Sequence, residues 1–144
     1  MSGSGADPRL ASWVPHRPPM LLVEGVAEAH DRGGTAWARV DPDAWYADPD
    51  GAMPAWFGLE LLAQAVAACR GRALAEAGLG PRGGYLVAVR DYRSDLGAFP
   101  PGARLELAVR LDEEAPSGLR KFSCAILMDG FPVARGALTL VERP

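Results

Sequence analysis

Pro54-Ala-Trp-Phe-Gly-Leu-Glu-Leu-Leu-Ala-Gln-Ala-Val-Ala-Ala-Cys-Arg-Gly-Arg-Ala-Leu-Ala-Glu-Ala-Gly78 is the longest periodic run in the chain. It opens on proline, whose missing N–H costs nothing at a first helical position, and closes on glycine. Alanine and leucine dominate it and both are strong helix formers, so the run predicts a helix over 54–78. Apolar residues occupy nearly every face of its first four turns. Phe57, Leu61, Gln64 and Ala68 share one side, and Trp56, Leu59, Ala63, Val66 and Ala67 cover much of the rest. Such a helix has to be covered on more than one side. Gly58 and the alanines at 63, 65, 67 and 68 let other elements approach closely, while Arg70, Arg72 and Glu76 bring the far end into water.

The covering material lies on both sides of this run. Downstream, Tyr85 to Leu96 reads as a strand, stopped by Phe99-Pro-Pro-Gly102. Arg104 to Leu111 alternates Leu105, Leu107, Val109 and Leu111 with Arg104, Glu106, Ala108 and Arg110, the pattern of a sheet with one packed and one wet face. The turn Ala115-Pro-Ser-Gly118 precedes a strand from Leu119 to Met128. Asp129-Gly130 is a hairpin signal, and Phe131 to Val141 is the last strand. Upstream, a strand from Leu21 to Glu28 follows Pro18-Pro19, which cannot donate to a ladder. Gly33-Gly34 reads as a turn, Thr35 to Val40 as a second strand, and Asp41 to Gly51 as a loop carrying Trp45 and Tyr46. Residues 1–12 predict a flexible lead-in to a single domain over 13–144. The order is two strands, one long helix and four strands, an α+β chain whose antiparallel sheet can bury its apolar face only by curling around the helix. That leaves a sheet edge and part of the helix uncovered, so a side-by-side dimer is expected.

Composition narrows the function classes. The chain has 144 residues, 49% hydrophobic and 23% charged, enough for one core without metal or disulfide staples. No run approaches the roughly 20 apolar residues of a membrane span, and Met-Ser-Gly-Ser-Gly-Ala-Asp-Pro-Arg-Leu lacks a signal-peptide core, so a cytoplasmic location is expected. A net charge of −3 with scattered arginines argues against a nucleic-acid partner. Arg82, Arg90 and Arg93 form a local cluster, either a solvated face or a dock for an acidic carrier. Cys69 and Cys124 sit in apolar segments and read as buried thiols. Two distant histidines give no metal-ligand spacing, and neither a phosphate loop nor a nucleophile elbow occurs, so no cofactor is expected.

The chemistry then falls on few residues. Glu60 lies among Trp56, Phe57, Leu59, Leu61 and Leu62, where a carboxylate must be paired, hydrogen-bonded or protonated. It suits proton transfer, or else it satisfies its own helix or a loop amide. The N–H groups of Ala55, Trp56 and Phe57 at the helix start have no intrahelical partner, and a carbonyl placed there would be polarised toward an oxyanion. Gln64, one turn beyond Glu60, either orients a water or the carboxylate or makes a plain polar contact. His16, held between Pro15 and Arg17-Pro18-Pro19, is a base, an acid or an anchor. His30 reads as a turn residue, and Asp91 and Asp95 as a solvated strand face.

Val14-Pro-His-Arg-Pro-Pro-Met-Leu-Leu-Val-Glu24 resembles the opening motif of the 3-hydroxyacyl-[acyl-carrier-protein] dehydratases, and Met53 to Ala65 resembles their central helix motif. Gly84-Tyr-Leu-Val-Ala-Val-Arg-Asp-Tyr-Arg93 is similar to the subgroup encoded with aryl-polyene and related polyketide-type clusters, and the similarity runs from about residue 12 onward. The resemblance implies a hotdog fold and a homodimer or heterodimer with active sites at the subunit interface. It also implies a phosphopantetheine-linked acyl thioester, from fatty-acid or polyene biosynthesis, as substrate on an acyl carrier protein. A tunnel between subunits would be lined by Tyr46, Met53, Trp56, Phe57, Leu61 and Leu86. In the family a histidine before the helix takes the α proton, a carboxylate on the partner's helix protonates the departing hydroxyl, and a backbone N–H at the helix start holds the thioester oxygen. Carried over, the carboxylate falls on Glu60, the N–H on Ala55 (usually glycine) and the histidine on Tyr46. A phenol with a pKa of about 10 is a poor base. Three readings follow. His16 or another group serves as base; the chain is a non-catalytic half that lends Glu60 to a partner; or Glu60 activates water in a thioesterase.

Overall fold

The central run folds as helix α2, Phe57–Glu76, in a computed structural model that describes residues 6–80 and 84–143, without the side chains of 84–87. The helix begins three residues later than predicted. Met53–Pro54 is drawn instead into a two-residue strand, β3, paired antiparallel with β5, Ala98–Phe99. At the far end Gly78, at φ 76°, lets the chain reverse. The Gly78 N–H donates to Ala75 O at 3.0 Å and the Leu79 N–H to Leu74 O at 2.8 Å, a Schellman cap that satisfies the last carbonyls.

Around α2 wraps one antiparallel sheet, built from β1 (Gly25–His30), β2 (Gly33–Arg39), β4 (Gly84–Ser94), β6 (Arg104–Glu114), β7 (Leu119–Met128) and β8 (Phe131–Glu142) in the order β1-β2-β6-β7-β8-β4. This is the α+β hotdog arrangement. The alternation in β6 holds, with Leu105, Leu107, Val109 and Leu111 buried and Arg104, Glu106 and Arg110 exposed. Asp129 and Gly130, at φ 51° and 83°, make the predicted hairpin turn between β7 and β8. Leu61, Leu62, Ala65 and Ala68 of the helix are fully buried in one core with Ala36, Leu105, Leu107 and Ile126. The helix alanines keep the strands near its backbone. Arg70 reaches out of α2 to grip Glu142 of β8 through both guanidinium nitrogens at 2.8 Å. Cys69 and Cys124 are free, and burial pushes both thiols up to about 12. No described helix is long and apolar enough to cross a membrane.

Three expectations are corrected. Leu10 to Ser12, assigned to the lead-in, join Trp13 in a helical turn, α1 (Leu10–Trp13), whose Leu10 is buried in the core. Strand β1 starts at Gly25 rather than Leu21, so residues 21–24 run irregularly along the helix. Gly33 and Gly34 lie inside β2, not in a turn. A Cβ on either would sit 2.1 Å from a carbonyl oxygen of a neighbouring strand, Val109 O or Glu28 O. The pair is needed for close backbone approach and for its positive φ angles.

Candidate active site

In the irregular segment 20–24 the Glu24 N–H still reaches Trp37 O of β2, but the Leu22 and Val23 N–H groups and the Met20 carbonyl must be satisfied some other way. Gln64, fully buried on α2, does this. Its Oε1 accepts the N–H groups of Leu22 and Val23 at 2.8 and 3.2 Å, and its Nε2 donates to Met20 O at 2.8 Å. The remaining Nε2 hydrogen goes to Glu60 Oε2 at 2.9 Å. An amide offers two donors and two lone pairs, and all four are spent here. The same bonds fix which end of the amide is nitrogen.

Glu60 Oε2 is also 2.9 Å from His16 Nε2. Arg17 braces the histidine's backbone by donating to Val14 O, His16 O and Ala11 O. His16 Nδ1 is buried with no hydrogen-bond partner among the described residues. The neutral ring therefore carries its proton on Nε2, from which it donates to the Glu60 carboxylate, and keeps a dry lone pair on Nδ1. Both side chains remain partly accessible, 32% for His16 and 40% for Glu60. Glu60 is thus paired and hydrogen-bonded, as a carboxylate in that run must be, though less buried than its neighbours in sequence suggest. The structure brings His16, Glu60 and Gln64 together within a single chain.

The helix start needs a correction. The Ala55 N–H donates to Gly97 O at 3.0 Å, so it is not available as an oxyanion donor. The β3–β5 ladder claims it. The Ala55 carbonyl accepts from Gly58 N at 3.0 Å and from the Tyr92 hydroxyl at 2.5 Å. The uncommitted N–H groups at this end, among the described residues, are those of Trp56 and Phe57. Trp56 is 67% exposed beside them.

Tyr46 does not face Glu60. Its hydroxyl receives the Asp41 N–H at 2.8 Å and lies 3.5 Å from Arg39 O, and burial pushes the phenol above its ordinary value. It pins its own loop shut and carries no proton to the pair. Its ring joins Trp45, Phe57 and Trp56 in a cluster of edge and tilted contacts with centroids 5.5–5.9 Å apart. Trp45, which the sequence offered only as a loop aromatic, donates its indole N–H to Pro19 O at 2.9 Å and so joins this cluster to the His16 segment.

A cleft of about 800 Å³ opens between residues 18–24 and 39–46. Leu21, Leu22, Val23, Val40, Trp45 and Tyr46 give it apolar walls, and Glu24, Arg39 and Asp41 a polar side. Burial pushes the Glu24 carboxyl above its ordinary range. The cleft shares Trp45 and Tyr46 with the aromatic cluster but does not reach His16 or Glu60. Of the residues expected to line a tunnel, it takes Tyr46. Met53 and Leu61, 1% and 0% exposed, pack in the chain's own core instead. The Leu86 side chain and Arg82 lie outside the described residues. His30 is exposed at the end of β1, its Nδ1 accepting the Arg32 N–H at 3.2 Å.

A family model described as ApeP-like, ApeP dehydratase, matches residues 8–144. Among solved structures, the dehydratase heterocomplex ApeI:P from Xenorhabdus doucetiae superimposes with a TM-score of 0.84 at 25% identity, over 94% of this chain and 91% of that one. AziG from S. sahachiroi matches with a TM-score of 0.63 at 18% identity, over 81% and 88% of the two chains. A mutant thioesterase from Pseudomonas aeruginosa gives 0.63 at 14% identity, over 85% and 81%. The last two share the fold alone. No curated protein matches the sequence.

Proposed function

Because this chain belongs to the ApeP-like dehydratase family, we propose that it removes water from 3-hydroxyacyl thioesters presented on an acyl carrier protein, with Glu60 carrying the proton. The observation that supports this most directly is the 2.9 Å contact between Glu60 and His16, one turn from the open end of α2. With the thioester oxygen against the Trp56 and Phe57 N–H groups, charge leaving the α carbon is stabilised on that oxygen. The α proton passes to the Glu60 carboxylate while His16 Nε2–H steadies its negative charge. Protonated Glu60 then delivers that proton to the 3-hydroxyl, the C–O bond breaks and water departs, leaving the 2,3-double bond and the Glu60 carboxylate restored beside His16.

A second reading is that the chain lends Glu60 to a related subunit that supplies the other proton carrier. Two observations favour it. Tyr46, at the family's histidine position, is tied to Asp41 and Arg39 and away from the pair, and the ApeI:P neighbour is itself a heterocomplex. One assay separates the two. Carrier-bound 3-hydroxyacyl thioester is incubated with this protein alone, and with a related dehydratase subunit, and the product is weighed by mass spectrometry. Loss of 18 Da (the mass of water) with this protein alone supports the first reading. Loss only with the second subunit supports lending. Free acid and free thiol in place of dehydration would overturn both.

A further inference from the structure

Three features converge on one side chain outside the proton-carrying pair. Strand β4 breaks register between Arg90 and Arg93, and Asp91 inside the break takes a left-handed φ of 55°. A bulge of this kind re-aims the residue beside it, here Tyr92. Gly58 clears its path. A Cβ on Gly58 of α2 would lie 1.9 Å from the Tyr92 hydroxyl oxygen. The hydroxyl ends 2.5 Å from the Ala55 carbonyl oxygen, in the peptide that leads into the N-cap residue Trp56.

From this geometry, and resting on the dehydratase reading, we infer that Tyr92 is a positioning residue that aims the oxyanion-stabilising N–H of Trp56. The Ala55 carbonyl and the Trp56 N–H belong to one planar trans peptide and point in opposite directions. The Gly58 N–H and the Tyr92 phenol hold that carbonyl between them, so the phenol is one of two bonds that fix where the N–H points. The peptide before it is fixed too, through Ala55 N–H on Gly97 O. With both neighbours tied down, the Trp56 N–H cannot swing without breaking a hydrogen bond. Burial keeps the Tyr92 phenol, pushed up to about 12, protonated and donating across the working pH range.

Tyr92→Phe removes the hydroxyl and leaves the ring in its seat. It should lower kcat by roughly 10- to 100-fold, as misaiming one donor does, with KM nearly unchanged. Gly58→Ala drives a methyl group into the hydroxyl's place and should reproduce that loss. The second readout does not need turnover. In a Glu60→Gln background, the infrared carbonyl stretch of a bound 3-hydroxyacyl pantetheine thioester should be shifted down from its solution value. Adding Tyr92→Phe should return it toward that value. An unchanged kcat together with a retained downshift in the Tyr92→Phe proteins, or no downshift with Tyr92 intact, would overturn the inference. A parent protein that dehydrates nothing would instead sink the dehydratase reading, while the carbonyl spectrum still decides the role of Tyr92.

Discussion

Glu60 and Gln64 share one oxygen but carry different burdens, and substitutions should separate them. Glu60→Gln offers His16 Nε2–H a carbonyl oxygen in place of the carboxylate and removes the transferable proton. Turnover should fall about 10²–10⁴-fold, the usual weight of a general acid–base group, with the melting curve barely moved. Gln64→Leu fills the same space but strands the Leu22 and Val23 N–H groups and the Met20 carbonyl. A buried unsatisfied group costs about 1–3 kcal/mol, so a loss of roughly 3 kcal/mol or more is expected, measured by urea unfolding. The motifs around His16 and Glu60 were legible in the sequence because both residues sit in short recognisable runs. Ala55 was misread because a two-residue ladder has no periodicity to betray it. Tyr92 was overlooked because the bulge inverts the in–out pattern of β4, and Asp91 drew attention to the wet face.

Helix α2 and the strands β6 to β8 could be read from pattern alone, since each is long enough for its period to repeat. The upstream edge could not. Residues 21–24 are apolar enough for a strand, but a buried glutamine 42 residues away offers their amides a competing partner. Gly33-Gly34 looked like a turn because the same residue type serves both turns and close crossings. Gly34→Ala tests the crossing: its Cβ would meet Glu28 O at 2.1 Å, with φ at 155°. Two neighbouring backbones cannot both yield, and a destabilisation of about 2–4 kcal/mol is expected from a shift in the urea midpoint.

At the scale of the molecule, β4 is an edge strand of eleven residues, with β8 as its only sheet neighbour among the described residues. Such an edge invites pairing. On the same domain Trp56 is exposed and Leu59, Ala63 and Ala67 of α2 are only half-buried. Sedimentation at micromolar concentration should therefore give a dimer, with itself or with a related subunit, and a monomer under both conditions would contradict it. Arg93 of β4 lies directly opposite Arg135 of β8, both exposed, with Arg90 nearby. Like charges in register oppose folding, and this is where the acidic carrier proposed above would dock. Arg93→Glu should raise KM for a carrier-bound thioester and leave the pantetheine thioester unaffected.

The saturated amide of Gln64 has a practical consequence. Leu22 and Val23 form part of the wall of the apolar cleft, and their backbone is fastened through that amide to Glu60, the carboxylate we propose moves the proton. A change in this wall will therefore be felt at the Glu60 carboxylate, although the cleft itself does not touch it. Leu22→Ala should alter the rate constant from a distance, so that cleft shape and speed cannot be tuned as separate dials.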